Sequence, residues 1–303
     1  MRMTSSNPAM KRALRSRPAG YGQPYQQPYA QPGYSQQGYG QPPQPGYGQY
    51  AQQGYPGQAQ PGYPGGGADE ASRPMTIDDV VMRSGMTIGM VIATAVLNFF
   101  VFAANPGLAM MLTFGGAIAG LVLGLIIAFT QSTNAALILT YAALEGLFVG
   151  GISRLFEGLA GTEAGGLVTP AVFGTVFAFA TMLGLYKTRV IRVTNTFVKV
   201  VSGALVAALV LLLANFVVGM FNGGVGFGLR EPSLLGVGVT LVLIVIACAT
   251  LAIEFKGIED GIAMGVPNKM AWQFAFGLTV SLVWLYVEIL RLLWMLQAIF
   301  GGE

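Results

Sequence analysis

The chain contains no histidine, a single cysteine and, for its 303 residues, only 10% charged side chains. Without histidine, the usual zinc and haem ligand sets and the usual neutral-pH switch are excluded. One cysteine, Cys248, can form no intramolecular disulfide and leaves the redox compartment open. Its place inside an apolar run marks it as a small packing residue. A soluble domain carries roughly a quarter charged residues, so the shortage of charge points to lipid. Hydrophobic residues make up 53% of the chain, and the mean hydropathy is +0.60.

This average hides a division at about residue 74. Residues 18–67 repeat units such as GYGQP, QPYQQPY and QPGYGQY. Proline and glycine break regular structure there, and no aliphatic face offsets the entropy of ordering, so a disordered tail is expected over 1–73. It serves as a solvated tether, or its spaced tyrosines act as weak adhesive contacts. The basic start, Met1 to Arg17, runs into this tail and not into a short apolar core, so no cleavable signal peptide is expected. Over Pro74–Arg83 the sequence predicts a short helix lying at the membrane surface, with Asp78 and Asp79 near its start.

Beyond the tail, apolar runs of about the length needed to cross a bilayer occupy 85–104, 108–129, 135–153, 167–186, 198–221, 234–255 and 270–299. The expected fold is therefore all-α, a membrane domain over 74–303 with about seven spanning helices. Asn105-Pro106-Gly107 reads as a tight turn between the first two, and Thr133 or Asn134 as the cap of the third. Gly116, Gly120 and Gly124 line one face of the second helix, and Gly146 and Gly150 one face of the third, as close helix packing in membranes requires. Asn98 is read as an interhelical hydrogen-bonding residue.

The net charge of +3 and pI of about 9.0 suit membrane topology better than nucleic acid. Lys and Arg gather in the tail, at 187–199, and at Lys256 and Lys269, with little more than Arg154 and Arg230 on the other side. The positive-inside rule then predicts a cytoplasmic N-terminus and an external C-terminus in a plasma membrane. A six-span arrangement with a re-entrant last segment would put both ends inside.

A carboxylate inside a span is costly unless paired, protonated or wet, and is a functional hypothesis by default. Glu145 lies mid-way along the third run, Glu254 near the end of the sixth and Glu288 well inside the seventh. Each has a plainer reading. Glu288 and Arg291 share a helix face and can neutralise each other, Glu254 can be interfacial, and Glu145 can be a protonated acid bonded to a neighbouring helix. Two carboxylates within about 4–6 Å cannot both ionise cheaply, which makes a proton-sensitive pair without histidine. Any two of these acids brought together would give only a weak, partly hydrated cation site, since calcium prefers roughly six to eight oxygens. Nothing in the sequence supplies a nucleophile with a base or a metal-ligand cluster, so enzymatic activity is not expected, and paired acids alone are thin grounds for an aspartyl protease.

The segments YAALEGLFVGGIS, LAIEFKGIEDG and above all WQFAFGLTVSLVWLYVEILRLLWML resemble the transmembrane Bax inhibitor motif family, especially its bacterial YccA-like branch. The resemblance covers roughly residues 74–300. It implies a seven-helix bundle with a central last helix in a bacterial inner membrane. It also implies a proton-sensitive calcium leak governed by a carboxylate pair on the last two helices. Family members are linked to restraint of cell death and to a membrane-bound ATP-dependent protease as partner. By position, Glu254 and Glu288 stand where the family has aspartates, which makes them the implied sensing pair and the implied weak calcium site, and Glu145 matches the family's glutamate followed by glycine. The interval of 34 residues between the pair exceeds the family's usual one, so Glu259 is the substitute partner for Glu288 if the sixth helix runs further. Two functions follow: a proton-gated cation leak, or a non-conducting regulator that docks on a membrane protease or another membrane partner.

Overall fold

The computed structural model describes residues 73–301, of which 82% are helical. The expectation of a disordered tail over 1–73 falls almost wholly outside the described residues. Seven long helices follow in order: α1 Ile77–Ala104, α2 Pro106–Thr130, α3 Ala135–Ala160, α4 Val168–Lys187, α5 Asn195–Gly219, α6 Leu234–Ala263 and α7 Ala271–Phe300. Each is long and apolar enough to cross a membrane. The last is a full helix, so the re-entrant alternative does not hold.

Helix boundaries follow local chemistry. The separate surface helix expected over Pro74–Arg83 is instead the first two turns of α1. Thr76 and Asp79 form a reciprocal capping box there, and no residue between Arg83 and the apolar run breaks the helix. Asn105 alone separates α1 from α2, where Pro106 takes the first helical position and Asn105 accepts from the Leu108 amide. Asn134, not Thr133, caps α3 by accepting from Ala136. Gly161, at φ +67°, closes α3 in the left-handed conformation that glycine adopts without cost.

The segment before α1 is held to the α6–α7 connection. Met75 donates its amide to the Val266 carbonyl (2.8 Å), and Asn268 donates to the Arg73 carbonyl (2.8 Å). Arg73 also chelates Asp79 at 2.6 and 2.9 Å. Arg83 donates to the Asn268 carbonyl and lies 5.4 Å from the centre of the Trp272 ring.

The last helix is the centre of the bundle, packed against α1, α3, α4 and α6. One apolar cluster joins α3, α4 and α7 through Val149, Phe156, Ala171, Tyr286 and Leu290; another joins α2 and α3 to Trp272 and Phe276. Association in lipid draws little from the hydrophobic effect and depends on close packing and interhelical hydrogen bonds. Both are present. Thr87 and Thr279 share a hydrogen bond of 2.8 Å, and Ser153 and Tyr286 another of 2.8 Å. Fully buried Asn98 donates to Thr113 Oγ1 (3.0 Å) and the Leu147 carbonyl (2.6 Å), the interhelical role its position predicts.

The glycines of α3 carry the closest approach. A Cβ at Gly146 would overlap Thr94 and the Val91 carbonyl, and one at Gly150 would overlap the Ala95 backbone. On α2, a Cβ at Gly116 would come within 2.8 Å of the Leu144 carbonyl and one at Gly124 within 3.0 Å of Tyr141. Substitution of Gly150 by valine should therefore cost at least the ~1–3 kcal/mol of overpacking. Gly85, with nothing within 4 Å of the same position, should accept alanine without loss. Thermal unfolding of the two variants in detergent checks both statements.

Candidate functional site

Helices α6 and α7 form an antiparallel hairpin that sets the depth of the acids. Near one end Thr240 lies 3.7 Å from Met295; further along, Thr250 lies 3.5 Å from Ser281. Glu254 comes next on α6 and faces Gly277 of α7, where a Cβ would sit only 2.6 Å from its Oε2. Glycine makes the room. Glu288 is eleven residues further along α7, about 16 Å of helix rise. The pair implied by the family resemblance is thus not brought together, and the weak calcium site of Glu254 with Glu288 is not assembled.

Each acid has its own setting. Glu288 is 1% exposed and receives two parallel hydrogen bonds from Arg230, both 2.8 Å, plus one from Trp284 at 3.3 Å. Its hydrogen-bonded partner is therefore Arg230, from the α5–α6 connection, and not the same-face neighbour Arg291. Arg291 instead lies over the Phe156 ring at 5.2 Å, with a buried Nε that has no hydrogen-bond partner. Glu254 is half-buried with no hydrogen-bond or ion-pair partner among the described residues. Glu145 is also half-buried, lies beside Gly120 of α2, and interacts with Tyr141 one turn before it. The same Tyr141 ring packs edge-on to Phe276, next to the Gly277 that faces Glu254.

Helix α6 does extend beyond the expected 234–255, to Ala263, supported by the Lys256–Asp260 pair at 2.6 Å. Glu259 nevertheless does not replace Glu254. It is exposed and accepts from the Tyr186 hydroxyl of α4. Five helical residues rotate it well away from the face of Glu254.

Sequence reasoning missed two participants. In the sequence Arg230 stands out only as a charge in a loop. The α5–α6 connection reaches Glu288 because it folds back on α5: Asn215 Oδ1 accepts from Phe227, and Gly226, at φ +63°, sits where a Cβ would strike Asn215. The run of glycines at 223–228 was the available signal. Glu157 lies beyond the apolar run 135–153, so hydropathy alone does not place it in α3, which continues to Ala160. It is fully buried, accepts from Gly165 (2.7 Å) and Val168 (3.4 Å) at the start of α4, and pairs with Arg154 at 3.3 Å. It is a capping residue for α4 supplied from another helix.

Removing one partner of a buried ion pair leaves an uncompensated charge, whereas replacing both with apolar side chains is often neutral. Arg230→Gln should thus lower stability by about 3–5 kcal/mol, and the double change Arg230→Met with Glu288→Leu should recover most of it. Equilibrium unfolding of the single and double variants measures the difference.

None of the curated proteins matches the chain. A family profile does, over residues 7–298, taking in most of the tail as well as the bundle. With seven apolar helices, a central last helix and a match over nearly its whole length, the chain belongs to the Bax inhibitor 1-like family of membrane proteins.

Proposed function

We propose that the protein is a proton-sensitive cation leak, calcium-permeable, with Glu254 and Glu145 as the responsive groups in the half of the bundle nearer the N-terminal end. The observation that carries this reading is the contrast between the two tiers of acid. Glu288 is neutralised by Arg230 and held by three donors, whereas Glu254 faces a glycine and has no partner among the described residues. An intramembrane carboxylate kept unpaired marks an ion or proton pathway more than a structural contact. Deprotonated, Glu254 and Glu145 would attract a hard, partly hydrated cation; protonated, they would lose that attraction. The Arg230–Glu288 bridge would then close the far half of the path.

The N-terminal end of the bundle would be cytoplasmic, with the C-terminus outside. Arg73, Arg83, Lys187, Arg189, Arg192, Lys199, Lys256 and Lys269 all belong to that end, in agreement with the positive-inside rule. A plasma membrane, as in the bacterial branch, suits this arrangement.

A second reading is favoured by the contact between the segment at Arg73–Met75 and the α6–α7 connection. Through it, a partner that binds the tail could act on the central hairpin, as a non-conducting regulator of a membrane protease would require.

In vesicles reconstituted with the full chain, calcium flux should be high at neutral pH and fall on acidification. Glu254→Gln should remove most of that dependence, and Glu145→Gln should weaken it. A pH profile unchanged in Glu254→Gln would remove Glu254 from the path. Unchanged behaviour of a chain lacking residues 1–72 would argue against the regulator reading.

A further inference from the structure

At the far end of the bundle, between the last two turns of α5, the α5–α6 connection and α7, lies a cavity of about 430 Å³. Its walls have two characters. Leu212, Phe216 and Met220 form an apolar side along α5, and Phe216 and Met220 are themselves strongly exposed. Arg230 and Arg291 form the other side.

The charges on that second side do not balance. Among the described residues, Glu288 is the one carboxylate that acts on both arginines, and both of its oxygens are taken by Arg230. Arg291 lies within the field of Arg230 and Glu288, lies over the Phe156 ring, and has its buried Nε without a hydrogen-bond partner among the described residues. Glu231, the next acid in the chain, is exposed and does not line the cavity. Two guanidiniums thus share one carboxylate in a low-dielectric setting, where an uncompensated cation is costly. Guanidinium donors in this arrangement match phosphate oxygens.

From this geometry we infer that the cavity binds an acidic phospholipid. The phosphodiester sits against Arg291 and the free edge of Arg230, and one acyl chain lies along Leu212, Phe216 and Met220. The apolar wall opens on the surface that the bilayer covers, so the occupant can enter sideways from the leaflet. A phosphodiester to an uncharged alcohol such as glycerol, which leaves the lipid with a net negative charge, fits better than one to choline, whose own cation would face the two arginines. This inference does not rest on the proposed leak activity.

The test is native mass spectrometry of the full chain released from nanodiscs of phosphatidylcholine containing phosphatidylglycerol. One phosphatidylglycerol should remain bound under activation that strips phosphatidylcholine. Arg291→Gln should reduce that retention at least ~tenfold, as the loss of a charge-assisted contact implies. Leu212→Trp, which fills the acyl side and keeps both arginines, should reduce it too, so the answer survives if Arg291→Gln does not fold. Equal retention of the two lipids, or wild-type retention in a folded Arg291→Gln or in Leu212→Trp, would overturn the inference. So would stabilisation of the detergent-purified protein by inorganic phosphate as large as that by phosphatidylglycerol, since the acyl side would then contribute nothing.

Discussion

A carboxylate that is 1% exposed inside a bundle of spanning helices needs a partner, and the whole far half of this protein is arranged to bring one to Glu288. The partner, Arg230, comes from outside the helices altogether. Its connection turns back through glycines at positive φ, is fastened to Asn215 of α5, and inserts a planar guanidinium that meets both carboxylate oxygens. This single bidentate contact fixes the central helix to the α5–α6 connection and so ties α5, which packs mainly on α6, to the core. It also leaves Arg291 as a second cation beside a cavity, from which the lipid inference follows.

The other half of the bundle obeys a different constraint. Helices α1, α2 and α3 approach one another where glycine backbones meet carbonyls and threonines, with Asn98, Thr113 and Leu147 hydrogen-bonded across the contact. The same device, a glycine opposite a polar side chain, places Glu254 against Gly277 and Glu145 beside Gly120. Small residues therefore do two jobs here. They let helices approach, and they leave room for acids that have no cationic partner among the described residues.

Much of this was legible in the sequence because it depends on local or periodic features. The seven apolar runs, the glycine faces at Gly116–Gly124 and Gly146–Gly150, the Asn134 cap and the interhelical role of Asn98 all follow from residue type and spacing. Hydropathy ends the third and sixth runs short, at 153 and 255, because the charged residues Arg154 and Lys256 interrupt them. In fact each charge is paired within its own helix, with Glu157 and Asp260, and the helix continues. The partner of Glu288 was hidden for another reason. Residues 230 and 288 are distant in sequence, and only the path of the connection brings them together, whereas Arg291 was visible as a neighbour on the same helix face. The depth of Glu254 relative to Glu288 likewise depends on the length of the α6–α7 connection, which hydropathy does not define.

The central claim is that the acids work in two tiers, with Glu254 free to exchange a proton and Glu288 locked by Arg230. Infrared difference spectroscopy across a pH step reads this directly through the carbonyl stretch of protonated carboxyl groups. The account predicts a pH-dependent band that loses its larger component in Glu254→Gln, with that of Glu145 remaining, and is undiminished in the Arg230→Met, Glu288→Leu double variant. A band undiminished in Glu254→Gln and lost in the double variant would contradict it.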